Sequence, residues 1–214
     1  MNLCSESAFK KFEREFLRKI MARPVEFDED KVLSKAMEQF WREGYEASSI
    51  QKLLDCTGIN RGTLYNSFGD KETFFKSCVD QYGLITEAQI LRSLQNEKLS
   101  AWNAIEAYFD EAILNMSNKH RSMGCMLVNS LCESINYDRS IKKVVQDLLL
   151  VIRKAMLLRL KEAKAMRKLK KGVSEEFAAD VLMNTLYGIR VNSRASKSPK
   201  HLQSLIRHAI DNLK

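Results

Sequence analysis

Residues 48–72 constrain the fold more than any other part of this 214-residue chain, because they read as two short helices joined by a tight turn. Ser48 or Ser49 can cap the first helix, since a hydroxyl oxygen accepts hydrogen bonds from amides that lack a partner inside the helix. Gly58 follows the last turn, where a left-handed residue commonly ends a helix, and Asn60 can cap the second helix. Apolar residues recur at the spacing of a buried helix face: Ile50, Leu53, Leu54, Leu64 and Phe68. We therefore predict a helix-turn-helix, whose second helix enters the major groove in DNA-binding proteins.

The composition favours an all-α fold. Hydrophobic residues make up 45% of the chain, whereas eight glycines and two prolines are too few for the turns of a sheet-rich protein. No segment approaches the roughly 18 apolar residues that a membrane-spanning helix needs, and the N-terminus lacks the apolar stretch of a secretory signal. Five cysteines without paired short spacings are typical of a reducing compartment. We expect a cytoplasmic protein that does not associate with membranes.

Three segments can be distinguished along the chain. Residues 24–74 predict a three-helix domain that contains the helix-turn-helix motif at 49–68, and residues 75–214 predict a larger helical domain for effector binding and dimerisation. Residues 1–23 predict an N-terminal amphipathic extension, whose apolar residues recur at near-helical spacing: Phe9, Phe12, Phe16 and Ile20.

Local signals predict where the helices begin and end. A helix over residues 28–43 should follow its cap, Asp28, and a long helix over about 71–95 should join the two domains. A very long helix over about 138–171 should stop at Gly172, because glycine ends helices cheaply. Later helices should begin after a capping hydroxyl: Ser100, Ser174 and Ser198.

Charge is distributed unevenly. The net charge of +8 favours an anionic partner in general terms, yet residues 24–75 carry 10 Asp and Glu against 6 Lys and Arg. Any DNA binding by this segment must therefore depend on the positions of single basic residues rather than on bulk charge. The most basic segment, residues 153–171, is interpreted as a solvated helix end.

The order of residues over 58–68 and 71–72 resembles the DNA-binding domain of TetR-family transcriptional regulators. That pattern places a small residue, a glycine, an aliphatic residue and a polar cap before a helix with Gly-x-Leu-Tyr-x-x-Phe. A Lys-Glu pair then begins the next long helix. The resemblance covers about residues 27–75, with weaker echoes at 124–129 and 188–190.

The resemblance implies a repressor that binds double-stranded DNA at a palindromic operator, because a homodimer imposes two-fold symmetry on its site. By the resemblance, phosphates would be contacted by Tyr65, Lys71, Ser48 and Ser49, and such contacts position a protein without specifying sequence. The family often has aromatic or histidine residues where this chain has Asn66 and Ser67, so the operator sequence stays open. The expected contact residues of the second helix are Asn60, Arg61, Gly62, Thr63, Tyr65 and Asn66.

The resemblance also implies a cavity for a small effector in the larger domain. Methionine and aromatic side chains with a few polar groups suit a small apolar or aromatic molecule. The alternative is that most of these side chains are simple core residues. Arg190 could add a further polar group to the cavity. The candidate lining residues are Trp102, Tyr108, Phe109, Met116, Met126, Asn129, Met183 and Tyr187.

The last two helices carry more apolar residues than a surface helix pair of a monomer would need. In the family these two helices form a four-helix dimer interface, and the excess is consistent with that role. The resemblance therefore assigns seven residues to the interface of a homodimer: Leu182, Leu186, Ile189, Leu202, Leu205, Ile206 and Ile210.

No catalytic, metal or cofactor site is predicted, because the three histidines lie far apart and no ligand or phosphate-loop motif is present. Cys125 follows a glycine at a predicted helix start, where a thiolate is favoured. It lies about two turns, roughly 10 Å, from Cys132, which is beyond disulfide reach. Two functions are therefore considered: a repressor released by a small molecule, and a thiol-sensing regulator with a weak DNA-binding head.

Overall fold

The computed structural model describes residues 27–133, 139–195 and 198–214, and in these ranges the chain contains helices but no strand. The predicted amphipathic extension of residues 1–23 lies outside the described residues. The helices in the described ranges are α1 (Glu29–Glu43), α2 (Ile50–Thr57), α3 (Arg61–Phe68), α4 (Lys71–Arg92), α5 (Ala101–Phe109), α6 (Asn118–Ser122), α7 (Met126–Glu133), α8 (Arg139–Ala165), α9 (Glu175–Arg194) and α10 (Pro199–Asp211).

Side-chain caps begin these helices where the sequence predicted them. Asp28 accepts a hydrogen bond from the Lys31 amide, and Asn60 accepts one from the Thr63 amide at 2.8 Å. Of the two serines proposed for α2, Ser49 is the cap. The predicted caps of three later helices are also confirmed: Ser100, Ser174 and Ser198.

Helices α1 to α3, called here the head, pack together with the start of α4 around an aromatic core. The ring of Phe40 in α1 packs edge-on against Phe75 in α4 at a centroid distance of 4.9 Å. Leu53 and Leu64 are fully buried, as predicted from their spacing. Gly58 joins α2 to α3 with φ of 78°, a left-handed conformation that a glycine adopts without steric cost. The position of α3 is therefore fixed by packing on both sides of the turn.

Helices α5 to α10, called here the body, pack around α8 and α9. Helix α4 runs from the head into the body, where it contacts α5, α7 and α8. Helix α8 lies against α5, α7 and α9, and α9 also packs against α10. The body core contains large fully buried side chains, among them Tyr108, Phe109, Met126 and Ile141.

Helix α8 ends earlier than predicted, at Ala165 instead of about Lys171. Arg167 adopts a left-handed conformation with φ of 55°, and the Lys168 amide donates to the Ala163 carbonyl at 2.8 Å, which closes the helix end. Gly172 is also left-handed, with φ of 85°, but it lies in the loop before α9. The prediction that Gly172 stops α8 is therefore wrong.

The end of α5 widens into a π-helical turn over Asp110–Leu114, which the sequence did not predict. The Asn115 amide donates to the Asp110 carbonyl at 2.8 Å, which is the five-residue spacing of a π-turn. Helix α4 supports this turn from the side. Gln89 donates to the Glu111 carbonyl at 3.4 Å, and Arg92 donates twice to the Glu111 carboxylate, at 2.9 and 3.2 Å.

Candidate nucleic-acid interface and effector site

Helix α3 presents a polar face to solvent, and its apolar face packs against the core of the head. Leu64 and Phe68 are buried, whereas Tyr65 is 46% exposed despite its large ring. The exposed residues of α3, together with its cap, are called here the recognition face: Asn60, Arg61, Gly62, Tyr65, Asn66 and Ser67. Thr63 is half-buried at its edge. Within the described part of the chain Arg61 makes no hydrogen bond or ion pair, so its guanidinium is available to a partner.

The residues predicted to contact phosphates differ in their placement. Ser49 is exposed at the start of α2. The Lys71 ammonium lies 3.4 Å from the Glu46 carbonyl and 4.4 Å from the centroid of the Tyr45 ring, and burial lowers its pKa. Ser48, by contrast, is fully buried and its hydroxyl donates to the Gly44 carbonyl at 2.7 Å. Its side chain therefore does not reach this surface, contrary to the prediction.

Two of the basic residues of the head are already paired with one acid. The Lys52 ammonium lies 2.7 Å from the Glu43 carboxylate, and Arg42 contacts the same carboxylate at 3.2 Å. The hydrogen bond from Lys52 is the main reason that the pKa of Glu43 falls to about 2, with a further hydrogen bond from Gln39. Arg61 is consequently the basic residue best placed to meet DNA from this face.

A set of contacts through α7 joins the body to the end of α1. The Tyr45 amide donates to the Glu133 carboxylate at 3.0 Å. The Asn129 side-chain amide donates to the Trp41 carbonyl at 3.4 Å and to the Met123 carbonyl at 2.9 Å. Gly44 has φ of 85°, and a Cβ atom there would collide with the Glu133 carboxylate. These contacts tie α7 to the end of α1.

A buried polar cluster lies at the opposite end of α7. Arg190 is 4% exposed, and its Nη1 donates to the Gly124 carbonyl at 3.0 Å and lies 2.9 Å from the Met116 sulfur. The Tyr82 hydroxyl donates to the Cys125 sulfur at 3.5 Å. Burial raises the pKa of Tyr82 and of Tyr108, so both phenols are neutral donors at neutral pH. The sequence indicated Arg190 and Cys125 but missed Tyr82, which lies 43 residues away from Cys125.

Among the cavities lined by described residues, none brings the predicted effector residues together. Trp102 donates to the Lys168 carbonyl at 2.9 Å, against the loop after α8. Tyr108, Phe109 and Met126 are core residues, which agrees with the alternative that was left open. Two of the predicted residues, Met183 and Tyr187, border a groove of about 370 Å³ between α8 and α9, whose other lining residues are Leu131, Gln146, Leu149, Leu150, Arg153, Asp180 and Asn184.

Six of the seven residues predicted at the dimer interface are buried inside the chain itself. They belong to the core of the body and are at most 4% exposed: Leu182, Leu186, Ile189, Leu202, Ile206 and Ile210. Leu205 is 37% exposed, and Phe177 and Val191 of α9 are 60% and 52% exposed. The apolar residues of α9 and α10 therefore fall into two groups. One group is buried in the core, and the other, called here the outer stripe, is exposed: Phe177, Val191 and Leu205.

The described residues contain no group of three His, Cys, Asp or Glu side chains that could hold a metal ion. Cys125 and Cys132 are both free thiols, the first buried and the second exposed. Across residues 27–133, 139–195 and 198–214, no helix combines the length and the apolar character needed to cross a bilayer.

Two family models match the chain at the positions of the head and the body. Residues 32–78 match a model described as bacterial regulatory proteins, tetR family. Residues 101–209 match a model described as tetracyclin repressor-like, C-terminal domain, and this match alone covers half of the chain. The chain belongs to the TetR family.

Curated relatives share the TetR-type sequence over part of their length. The HTH-type transcriptional repressor ComR of Escherichia coli K12 is 34% identical over 122 residues, which are 57% of this chain and 58% of ComR. The uncharacterized HTH-type transcriptional regulator YezE of Bacillus subtilis 168 is 36% identical over 118 residues, 55% of this chain and 60% of YezE. The TetR-family chain thus spans somewhat more than half the length of these relatives.

Solved structures share the TetR fold over nearly the whole chain. A cysteine mutant of the TetR family transcriptional regulator CifR, complexed with 26-base-pair operator DNA, has a TM-score of 0.78 at 21% identity, covering 90% of this chain and all of that one. The regulatory protein TetR from Rhodobacter sphaeroides has a TM-score of 0.77 at 17% identity, covering 86% of this chain and 97% of that one. At these identities the likeness shows the fold.

Proposed function

We propose that this TetR-family protein is a homodimeric transcriptional repressor that binds a palindromic DNA operator in the cytoplasm. The observation that carries the proposal is the recognition face, where Arg61, Tyr65 and Asn66 are exposed on a helix whose other side is fixed in the core. ComR is named as a repressor and the CifR structure contains operator DNA, and both support the same function here.

Four residues of the recognition face have contacts that their chemistry suits. The guanidinium of Arg61 can donate two hydrogen bonds to a guanine edge, and Asn66 can pair with an adenine edge. Gly62 lets the backbone approach closely, because it has no side chain. Tyr65, Ser49 and Lys71 would bind phosphates and so set the register of the helix in the groove.

Release from DNA would follow from a small effector bound in the body. The link from Asn129 and Glu133 to the end of α1 supports this proposal, since it ties α7 to the element that packs on α2. An effector can move this equilibrium only by binding one state of the dimer better than the other. Operator DNA must then weaken effector binding by the same factor.

DNA selection from a random-sequence pool tests the repressor function. We expect the purified protein to enrich a palindromic site, with half-sites about one helical turn or somewhat more apart. Affinity for the selected site should fall as salt is raised, because bound counterions are released from the phosphates. Enrichment of no sequence, or of a single asymmetric half-site bound by one chain, would overturn the proposal.

A second candidate function is thiol sensing by Cys125. The observation that favours it is the hydrogen bond from Tyr82 to the Cys125 sulfur, within the cluster that contains Arg190. Substitution of Cys125 by Ser separates the two functions. If only oxidants release the DNA, and the Cys125→Ser variant does not respond to them, the signal is oxidation of the thiol and not a bound effector.

A further inference from the structure

Arg190 and Arg121 are both buried without a carboxylate partner among the described residues, and Arg190 alone of the two also has a buried nitrogen that lacks an acceptor. Its Nη1 has a carbonyl and a thioether as partners, and its Nε is buried without any hydrogen-bond acceptor among the described residues. The groups that interact electrostatically with it are Tyr82, Tyr108 and Cys125, none of which is a carboxylate. Arginine cannot lose its proton in a protein, so the described core holds a positive charge without a counter-ion.

Arg159 shows how this chain satisfies a buried guanidinium when no ligand is involved. Its side chain is 11% exposed and pairs with the Glu162 carboxylate at 2.8 Å. Its Nε donates to the Leu94 carbonyl at 2.6 Å, and its Nη2 donates to the Asn96 carbonyl at 2.8 Å. All three nitrogens of Arg159 therefore have acceptors, whereas the Nε of Arg190 has none among the described residues.

An unpaired buried charge is costly, because water no longer solvates it and nothing in the interior compensates. The arrangement becomes favourable if an anion occupies the unsatisfied side of the guanidinium. A carboxylate fits this side best, since its two oxygens match the fork of an arginine. The neutral phenols of Tyr82 and Tyr108 can donate to the same anion, as their pKa values are raised by burial.

The surroundings of Arg190 indicate the rest of the ligand. Met183, Tyr187 and Arg190 follow one another at i, i+4 and i+7, so they share one face of α9. Met183 and Tyr187 border the groove between α8 and α9, and Arg190 follows Tyr187 about one turn further along the same face of α9. The charged residues of the groove, Arg153 and Asp180, already pair with each other at 2.7 Å. The cation that is left to pair with a carboxylate is therefore Arg190.

We propose that the effector of this protein is a small monocarboxylate with an apolar body, anchored by the Arg190 guanidinium and reached through the groove beside Tyr187. The proposal rests on the proposed effector-responsive function and names its ligand class. Arg190 acts here as the anchor of the ligand, and Tyr82 and Tyr108 act as secondary donors.

Thermal unfolding of the full chain without DNA tests the proposal. The probes are a panel of monocarboxylates from acetate through hexanoate to benzoate, each with its primary amide, at about 10 mM and equal ionic strength. A carboxylate at about tenfold its dissociation constant should raise Tm by about 3–6 °C, and its amide should not. A rise with the amide as large as with the acid, or no rise with any carboxylate of the panel, would overturn the proposal.

Variants then assign the effect to Arg190. Arg190→Met should abolish the carboxylate response, and Arg190→Lys, which keeps the charge but loses the fork, should weaken it at least tenfold. Arg159→Met is the matched control: it should lower Tm in the absence of ligand but keep the carboxylate response. A response that survives in Arg190→Lys at full strength would refute the anchoring role, even if Arg190→Met does not fold. Operator binding without a carboxylate response would reject this proposal alone, and a response without operator binding would reject the proposed function alone.

Discussion

The backbone amide of Tyr45 donates a hydrogen bond to the Glu133 carboxylate at 3.0 Å, across 88 residues of sequence. Tyr45 follows the end of α1 in the head, and Glu133 is the last residue of α7 in the body. Gly44 leaves no room for a side chain beside this carboxylate. The contact therefore fixes the distance between head and body at one point.

Replacement of Glu133 by Ala should weaken this junction. We expect a loss of about 1.5–3 kcal/mol in the free energy of unfolding, the usual range for a hydrogen bond to a charged group. Glu133→Gln keeps an acceptor oxygen and should lose less. Urea unfolding and hydrogen exchange at the Tyr45 amide measure the two variants, and equal exchange rates in Glu133→Ala and wild type would show that this bond does not protect the amide.

Arg61→Ala and Lys71→Ala should impair DNA binding in different ways. Loss of Arg61 should cost about 1–3 kcal/mol and relax specificity at one base pair if it reads a base edge. Loss of Lys71 should weaken binding to all sequences alike and flatten the dependence of affinity on salt. Binding titrations at several salt concentrations check both, and an unchanged salt slope for Lys71→Ala would argue against a phosphate contact.

Charged substitutions on the two faces of α9 and α10 should have opposite consequences. We expect the homodimer to form through the outer stripe, because its side chains are exposed, so Val191→Glu with Leu205→Glu should give folded monomers. Leu186→Glu should instead unfold the chain, since this residue is 4% exposed within the core. Light scattering and circular dichroism distinguish the results. A Val191/Leu205 double variant that stays dimeric would place the interface elsewhere.

The contribution of Glu43 to stability should depend on pH. Its pKa is about 2 in the folded chain against an ordinary value of 4.5, chiefly because Lys52 donates a hydrogen bond to it. A lowered pKa means that the stabilisation is fully present above about pH 4.5 and is lost as the pH falls through 2. Wild type should therefore exceed Glu43→Gln in stability at pH 7, with a difference that shrinks toward pH 2. Unfolding curves measured across this pH range check the prediction. A stability difference that grew toward acid pH would contradict it.

Local chemistry made much of the fold predictable. The capping side chains of Asp28, Ser49 and Asn60 act within three residues of themselves, so the sequence alone locates the helix starts. The early end of α8 was missed because it depends on Arg167, a residue that rarely adopts a left-handed conformation. The helix-turn-helix was predictable for the same local reason, with the recognition face following from the periodicity of Leu64 and Phe68.

Contacts between distant segments were not predictable in the same way. Leu186 and Val191 are both apolar residues of α9, and only the packing of α9 between its neighbours decides that the first is buried and the second exposed. The cluster around Arg190 combines α4, α9 and the two residues before α7. Tyr82 could not be assigned to it from sequence spacing.

Because of the π-helical turn over Asp110–Leu114, the number of residues in this segment matters for the structure as much as their identity. A π-turn contains one residue more than the regular helix it interrupts, and each residue of a helix rotates the chain by about 100°. Deleting the exposed Asp110 would leave the apolar character of the turn nearly unchanged but close it to regular helical spacing and disturb the contact of the Met116 sulfur with Arg190. Mutational scans that only exchange side chains would pass over this dependence, and single-residue deletions would reveal it.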